Sequence, residues 1–200
     1  MENINVILFA DFETLDAFGP VEILGKLNDL YNIEFYSEKG GLIKSSQNVK
    51  VDTIAISEIK NHDILLIPGG YGTRKEVKNP ELIQKLKELS IKAKYVLTVC
   101  TGTALLAKTG LLKNLKATSN KRAFDWVIQQ DRDVLWIRKA RWVNDDKFYT
   151  SSGVSAGMDM VLGFIRDTVG LESAEKIAKN IEYIWNRDKD VDPFYNTDLI

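Results

Sequence analysis

The sequence of 200 residues is poor in cysteine and histidine, with one of each. A single cysteine cannot form an internal disulfide, which agrees with a reducing compartment, so we expect a cytoplasmic location. One cysteine and one histidine also cannot supply a usual set of metal ligands. The composition therefore argues against a metal site.

Long hydrophobic runs and blocks of like charge are also missing. The apolar runs are far shorter than a membrane span, and the start Met-Glu-Asn-Ile-Asn lacks the features of a signal peptide. The formal net charge is −1, with acidic and basic residues interspersed. We therefore expect neither nucleic acid nor a membrane as a partner. No linker-like stretch divides the chain, and we predict one domain over residues 1–200.

Short apolar runs alternate with amphipathic segments along the chain. The runs predict strands at 5–10, 33–37, 63–67 and 95–99, with extended or hairpin segments at 42–52 and 143–151. Helices are predicted at 20–30, from residue 80, after residue 101, and at 122–130, 155–169 and 172–185. This order predicts an α/β fold, a three-layer sandwich with a mainly parallel, flavodoxin-like sheet.

The stretch from Tyr95 to Leu106 carries the strongest chemical signal. A buried strand runs into a helix with almost no loop, and Cys100 is at the corner. Small residues on either side, Thr98 and Gly102, permit the tight turn of a nucleophile elbow. The helix start would favour the thiolate. A lone cysteine after a strand is more often a small buried hydrophobe, but that role does not require such a corner.

Ligand sites in parallel sheets form at the carboxyl ends of the strands. This rule brings Asp16, Gly69, Gly70 and Cys100 to one rim, together with residues 118–120 and 151–153. A glycine pair allows the backbone to approach a ligand closely, although a plain tight turn has the same signature. We expect the N–H groups of Gly70 and Thr101 to stabilise negative charge during attack by the sulfur.

The proton shuttle cannot be a cysteine–histidine pair, because His62 precedes its strand and lies at the opposite end of the sheet. A carboxylate is the remaining choice, and Asp16 is the best placed. Helix capping is its common alternative role. Asp11, Glu13 and Glu22 remain open as rivals. A carboxyl group beside a thiolate would have a raised pKa, and could donate a proton or share one with the sulfur.

Residues 152–157 form a second strand-to-helix corner. A serine nucleophile there would have no base. We expect this segment to pack closely against the first corner, with Ser152 or Ser155 as a helix cap.

Four segments in order resemble the ThiJ/PfpI superfamily, the single-domain relatives of class I glutamine amidotransferases. They are Leu-Asp-Ala-Phe-Gly-Pro-Val-Glu at 15–22, Leu-Leu-Ile-Pro-Gly-Gly at 65–70, Val-Cys-Thr-Gly at 99–102, and Thr-Ser-Ser-Gly-Val-Ser-Ala-Gly-Met-Asp at 150–159. The forms of the first and third segments are similar to the isonitrile hydratase branch and to the amidase-like domains of AraC-type regulators.

The resemblance implies roles for individual residues. Cys100 would be the nucleophile, Asp16 the acid/base and Thr101 a hydrogen-bonding partner. Gly69 and Asn120 would contact the substrate, and Asn120 lies near a position where relatives often have histidine. The resemblance also implies a homodimer, to which the aromatic-rich tail could contribute. The regulators carry a DNA-binding domain after this one, and we expect none here.

Two functions are compatible with these residues. In the first, the protein is a cofactor-free hydrolase or hydratase, in which Cys100 attacks an isonitrile, amide or reactive aldehyde. In the second, it is not an enzyme, and Cys100 is a redox or electrophile sensor. Asp16 favours the enzyme, since a sensor has no evident need for a placed carboxylate.

Overall fold

The computed structural model describes residues 1–196. Its strands are β1 (Glu2–Ile7), β2 (Tyr31–Ser37), β3 (Gly41–Lys44), β4 (Lys50–Ala55), β5 (Ile64–Ile67), β6 (Tyr95–Thr98), β7 (Lys116–Ala117), β8 (Leu135–Trp136), β9 (Trp142–Asp145) and β10 (Phe148–Ser151). Its α-helices are α1 (Thr14–Leu24), α2 (Thr73–Glu76), α3 (Pro80–Lys92), α4 (Gly102–Lys108), α5 (Phe124–Ile128), α6 (Ala156–Thr168) and α7 (Leu171–Asn180).

Eight of these strands form one sheet in the order β3-β4-β2-β1-β5-β6-β10-β9. The inner six strands are parallel, and only β3 and β9 at the two edges are antiparallel to their neighbours. The order β2-β1-β5-β6-β10 is that of flavodoxin-like folds, and chain direction across the sheet reverses beside β1. The predicted α/β sandwich with a mainly parallel sheet is therefore confirmed.

Burial on both faces explains why the central strands read as continuous apolar runs. All four residues of β5 are buried, as are Val96 to Thr98 of β6. Helix α1 packs against α6, which packs against α7, whereas α3 packs against α4. Because β1, β5 and β6 are parallel neighbours, their carboxyl ends lie at one rim of the sheet.

The prediction that α1 begins near Pro20 is wrong. The helix begins at Thr14, six residues earlier, and Asp16 lies in its first turn instead of in a loop. Proline is common in a first helical turn, which favoured the later start. Here Pro20 lies inside the helix, where it has no N–H to donate to the Asp16 carbonyl.

The hairpins are confirmed, and two helical details differ. Strands β3 and β4 pair in antiparallel register, as do β9 and β10, and Asp146 in the second turn has a φ of 51°. The short helix α2 was missed. The last predicted helix ends at Asn180 instead of residue 185, and Glu182 beyond it has a φ of 53°.

A buried ionic cluster attaches the C-terminal segment to the domain. Arg141 bonds Asp159 through Nη2 at 2.7 Å and Nε at 2.9 Å, and its Nη1 lies 3.6 Å from Asp192. Lys121 Nζ lies 4.0 Å from the other Asp192 oxygen. Both aspartates are fully buried. Burial is the largest cause that raises the pKa of Asp159, and Arg141 opposes it.

No helix among residues 1–196 is long and apolar enough to cross a membrane. The prediction of a single domain over 1–200 stays a prediction, and its last four residues lie outside the described part of the chain.

We predict that Arg141→Met destabilises the protein by about 3–5 kcal/mol, because it leaves the buried Asp159 carboxylate without its cation and removes one of the two cations beside Asp192. The free energy of unfolding in urea measures the effect. Arg166→Met is the matched control, since Arg166 pairs with Asp167 in a partly exposed position, where such pairs contribute about 0–1 kcal/mol. Equal losses in the two variants would contradict the prediction.

Candidate active site

The Cys100 backbone adopts the left-handed conformation expected at a nucleophile elbow. Its φ is 57°, and the following residues turn directly into α4. Gly102 is required here, because a Cβ atom at this position would lie 2.4 Å from the Ile67 carbonyl oxygen. The Cys100 N–H donates to the Ser152 carbonyl at 3.1 Å, and the Ser119 hydroxyl donates to the Cys100 carbonyl at 2.7 Å. Hydrogen bonds on both sides thus hold the strained corner.

Asp16 is fully buried and faces this corner. Its Oδ2 accepts the Gly69 N–H at 3.0 Å, whereas Oδ1 has no partner of ordinary hydrogen-bond geometry. Burial raises the pKa of Asp16 to about 7; the Gly69 N–H lowers it, the Glu13 charge raises it, and a weaker interaction with the Cys100 thiol lowers it. Both protonation states are therefore populated near neutral pH.

The glycine pair allows the backbone to approach the site closely. A Cβ atom on Gly69 would lie 2.6 Å from the Thr101 nitrogen and 2.8 Å from Asp16 Oδ2. Gly70 has a φ of 119°, and a Cβ atom there would lie 2.4 Å from the Glu13 nitrogen. Neither position can accept a side chain without moving the residues around the cysteine.

The Thr101 hydroxyl connects the two sides of the rim. It accepts the Gly70 N–H at 3.0 Å and the Thr73 hydroxyl at 3.1 Å. The Gly70 N–H is thus engaged by this hydroxyl. The backbone N–H groups directed at the Cys100 sulfur are those of Thr101 and Val154.

The predicted thiolate is not the resting form of Cys100. Burial is the largest cause that raises the pKa of Cys100 well above its ordinary value, and the Asp16 charge raises it further. The backbone N–H groups of Thr101 and Val154 oppose this shift without overcoming it. A thiol that is only 6% exposed, beside a carboxyl group that titrates near 7, keeps its proton.

The second corner packs against the first, as predicted. A Cβ atom on Gly157 would lie 2.8 Å from Val99 Cγ1. Ser155, one of the two predicted caps, occupies the N-cap position of α6, but its side chain makes no capping hydrogen bond; its Oγ lies 3.3 Å from Arg141 Nη2. The sequence analysis missed Val154, whose φ of 37° turns its N–H toward the sulfur. A positive φ at a β-branched residue has no local sequence signal.

Asn120 lies at the side of the pocket. Its Oδ1 accepts the Ala123 N–H at 3.0 Å, and its amide nitrogen is so close to Gly153 that a Cβ atom there would lie 2.5 Å away. His62 precedes β5 and is therefore at the end of the sheet opposite to Cys100, as predicted.

Of the three carboxylates that rivalled Asp16, only Glu13 lines the pocket. The β3–β4 hairpin positions this residue, since Gln47 Nε2 donates to Glu13 Oε1 at 2.9 Å. Asp11 is exposed, and Glu22 pairs with Lys26 on the surface of α1.

A pocket of about 320 Å³ opens over the cysteine. Cys100, Thr101, Asn120 and Val154 line it. Exposed Tyr71 also lines it, so this residue marks the mouth. The volume is at the small end of ligand pockets. The site thus combines a buried thiol, a buried carboxyl group and directed amides in a space for a small molecule.

The chain belongs to the DJ-1/PfpI family, whose sequence model matches residues 2–167. This confirms the resemblance to the ThiJ/PfpI superfamily. The matched region contains every residue of the pocket described above.

Two curated relatives differ in what they do. The chain is 26% identical over 182 residues to an isonitrile hydratase from Pseudomonas putida, covering 90% of this chain and 78% of that protein. It is also 26% identical over 167 residues to the HTH-type transcriptional regulator CdhR from Pseudomonas aeruginosa, covering 82% of this chain and 49% of the regulator. The chain thus spans about half the length of that regulator.

Solved structures agree on the fold. A ThiJ/PfpI family protein from Pseudomonas syringae superposes with a TM-score of 0.80 at 26% identity, over 98% of this chain and 78% of that one. Oxidized DJ-1 from Toxoplasma gondii superposes with a TM-score of 0.77 at 23% identity, over 92% of this chain and all of that one.

Asp16→Asn should stabilise the protein in a pH-dependent way. The folded pKa of Asp16 is about 7 against a reference value of 3.8, so the folded state binds the proton more tightly. Ionising this buried group therefore costs stability as the pH rises from about 4 to about 7. The variant should exceed the wild type by up to about 4 kcal/mol at pH 8, and the difference should vanish near pH 4.

Urea unfolding at pH 4, 6 and 8 measures this difference. Glu22→Gln is the control, because Glu22 lies on the exposed face of the same helix. A difference between Asp16→Asn and wild type that stays constant with pH would sink the prediction.

Proposed function

We propose that the protein is a cofactor-free, cysteine-dependent hydratase or hydrolase of small molecules, with isonitrile hydration as its best-supported reaction. The observation that carries the proposal is the pairing of the buried Cys100 thiol with the buried Asp16 carboxyl group, whose pKa of about 7 lets it exchange a proton with the sulfur. The similarity to isonitrile hydratase supports the choice of substrate.

The first step adds the thiol to the isonitrile carbon. Ionised Asp16 accepts the Cys100 proton through its unpartnered Oδ1 as the sulfur attacks, and then delivers that proton to the same carbon. The product is a thioimidate, in which the carbon carries the sulfur and one hydrogen and remains double-bonded to nitrogen. No proton is gained from or lost to solvent in this step.

The second step releases the product. Water adds to the thioimidate carbon while the nitrogen gains a proton, and the tetrahedral adduct then expels the sulfur. The adduct's hydroxyl proton returns to the sulfur through Asp16. The sum is an isonitrile plus water giving an N-formyl amine, with Cys100 and Asp16 restored.

Backbone amides stabilise the charge that develops during these steps. The N–H groups of Thr101 and Val154 are directed at the sulfur and suit this role. The Gly70 N–H joins them only if the Thr101 hydroxyl releases it. Gly69 acts through Asp16 by holding its second oxygen, and we propose that Asn120 contacts the substrate.

We expect the protein to hydrate a simple alkyl isonitrile to its N-formyl amine. Cys100→Ala should reduce the rate to that of the buffer, and Asp16→Asn should lower kcat/KM by about 10²–10⁴-fold, the usual contribution of an acid/base group. Product formation by chromatography measures both effects. Glu22→Gln should retain the wild-type rate, and turnover that persists in Cys100→Ala would contradict the proposed nucleophile.

The pH dependence should report Asp16. Since this group must be ionised to accept the thiol proton, kcat/KM should be constant above about pH 7 and fall about tenfold per pH unit below it. Initial rates between pH 5.5 and 8.5, corrected for hydrolysis without protein, give the profile. A flat profile across this range would show that Asp16 is not the base.

The alternative function, a redox or electrophile sensor, stays a prediction. The raised pKa of Cys100 argues against it, since the thiolate is the form that peroxide oxidises. The homodimer and the cytoplasmic location also stay predictions.

A further inference from the structure

Two arginines line the pocket over Cys100 and take no part in the proposed chemistry. Arg74 belongs to α2, and Arg122 lies just before the start of α5. No carboxylate among residues 1–196 pairs with either one. The nearby Asp125 is already paired with Arg138. Both guanidinium groups therefore have donors available for a ligand.

Aromatic rings hold the first of these arginines in place. The Arg74 guanidinium carbon lies 4.3 Å from the centre of the Trp126 ring and 5.5 Å from that of Tyr71. Its Nη1 lies 3.4 Å from the Thr73 hydroxyl. Stacking of this kind occupies the faces of the guanidinium and leaves its edge N–H groups to bind an anion.

Within the described part of the chain, Glu13 is the one acidic residue that lines the pocket. It lies on the segment before α1 and accepts a hydrogen bond from Gln47, whereas the two arginines line the pocket from α2 and from the segment before α5. Deeper in the site, Asp16 is committed to Gly69 and to the thiol. Neither carboxylate forms an ion pair with the arginines, so both guanidinium groups remain free to pair with an anionic ligand.

We infer that the substrate of this site carries an anionic group, a carboxylate or a phosphate-type group, which Arg74 and Arg122 bind while an electrophilic carbon meets Cys100. The planar arginine fork matches both anions through paired N–H donors. The pocket of about 320 Å³ limits the substrate to a small molecule. This inference names the substrate class for the proposed function. The reaction of that substrate rests on the proposed function, whereas the binding of its anionic group does not.

Alkylation of Cys100 tests the charge preference without requiring turnover. Iodoacetate and iodoacetamide react by the same step, in which the sulfur displaces iodide, but only the first carries a carboxylate. Cys100 is the only cysteine, so intact mass reports it directly. The iodoacetate rate is divided by the iodoacetamide rate, in folded and in urea-unfolded protein, and the first ratio is divided by the second. This quotient cancels the intrinsic reactivity of the two reagents and the ionised fraction of the thiol.

We expect the folded protein to favour iodoacetate by about tenfold or more relative to the unfolded chain, the size of one charge-assisted contact. The double variant Arg74→Gln/Arg122→Gln should return the ratio to that of the unfolded chain. Arg187→Gln, an arginine outside the pocket that pairs with Glu175, should leave it unchanged, and Glu13→Gln should raise it. An equal ratio in folded and unfolded wild type, or a ratio insensitive to the double variant, would overturn the inference.

A second measurement needs no reaction at the sulfur. Propanoate and methylphosphonate should raise the Tm of the wild type at concentrations where propanamide does not, and the double arginine variant should lose the shift. A shift with one anion alone identifies the type of group, and equal shifts with all three compounds would contradict the inference. Absence of isonitrile turnover would overturn the proposed reaction while leaving these two results intact.

Discussion

The chemistry proposed for this protein depends on the removal of water from a carboxyl group and a thiol that lie side by side. Asp16 is fully buried and Cys100 nearly so, and the Asp16 charge makes ionisation of the thiol more costly, whereas the thiol weakly favours the carboxylate. Near neutral pH the thiol keeps its proton, and the ionised fraction of Asp16 is the acceptor beside it. The strained corner, the two close glycines and the directed amides all preserve that arrangement. They fix where the proton can go without involving a histidine.

The site is assembled from distant parts of the chain, and the sheet is what unites them. Parallel β1, β5 and β6 deliver Asp16, the glycine pair and Cys100 to the same rim. The β3–β4 hairpin then bonds to the start of α1, with Thr14 N donating to Gln47 Oε1 at 3.1 Å. An edge hairpin thus orients the helix whose first turn carries the carboxylate, although it contributes no side chain to the lining of the pocket.

The parts that could be predicted from the sequence are those with local signals. The corner at Cys100 is encoded by an apolar run, small flanking residues and helix formers. The rule for strand ends identifies Asp16. The predicted start of its helix is too late, because proline is typical of a first helical turn. Val154, Arg74 and Arg122 could not be found in this way. Their roles depend on how α2, α5 and the second corner pack together, and no nearby residue pattern reports that packing.

The position of Asp192 has a consequence for the order in which the molecule is built. This buried carboxylate lies against Lys121 and Arg141, and Lys121 also donates to the Ser119 carbonyl at 3.3 Å and to the Thr118 hydroxyl at 2.9 Å. Ser119 in turn donates to the Cys100 carbonyl. During synthesis on the ribosome, the cysteine corner emerges some ninety residues before its last buried support. The Cys100 thiol therefore reaches its final setting only after Asp192 has been synthesised.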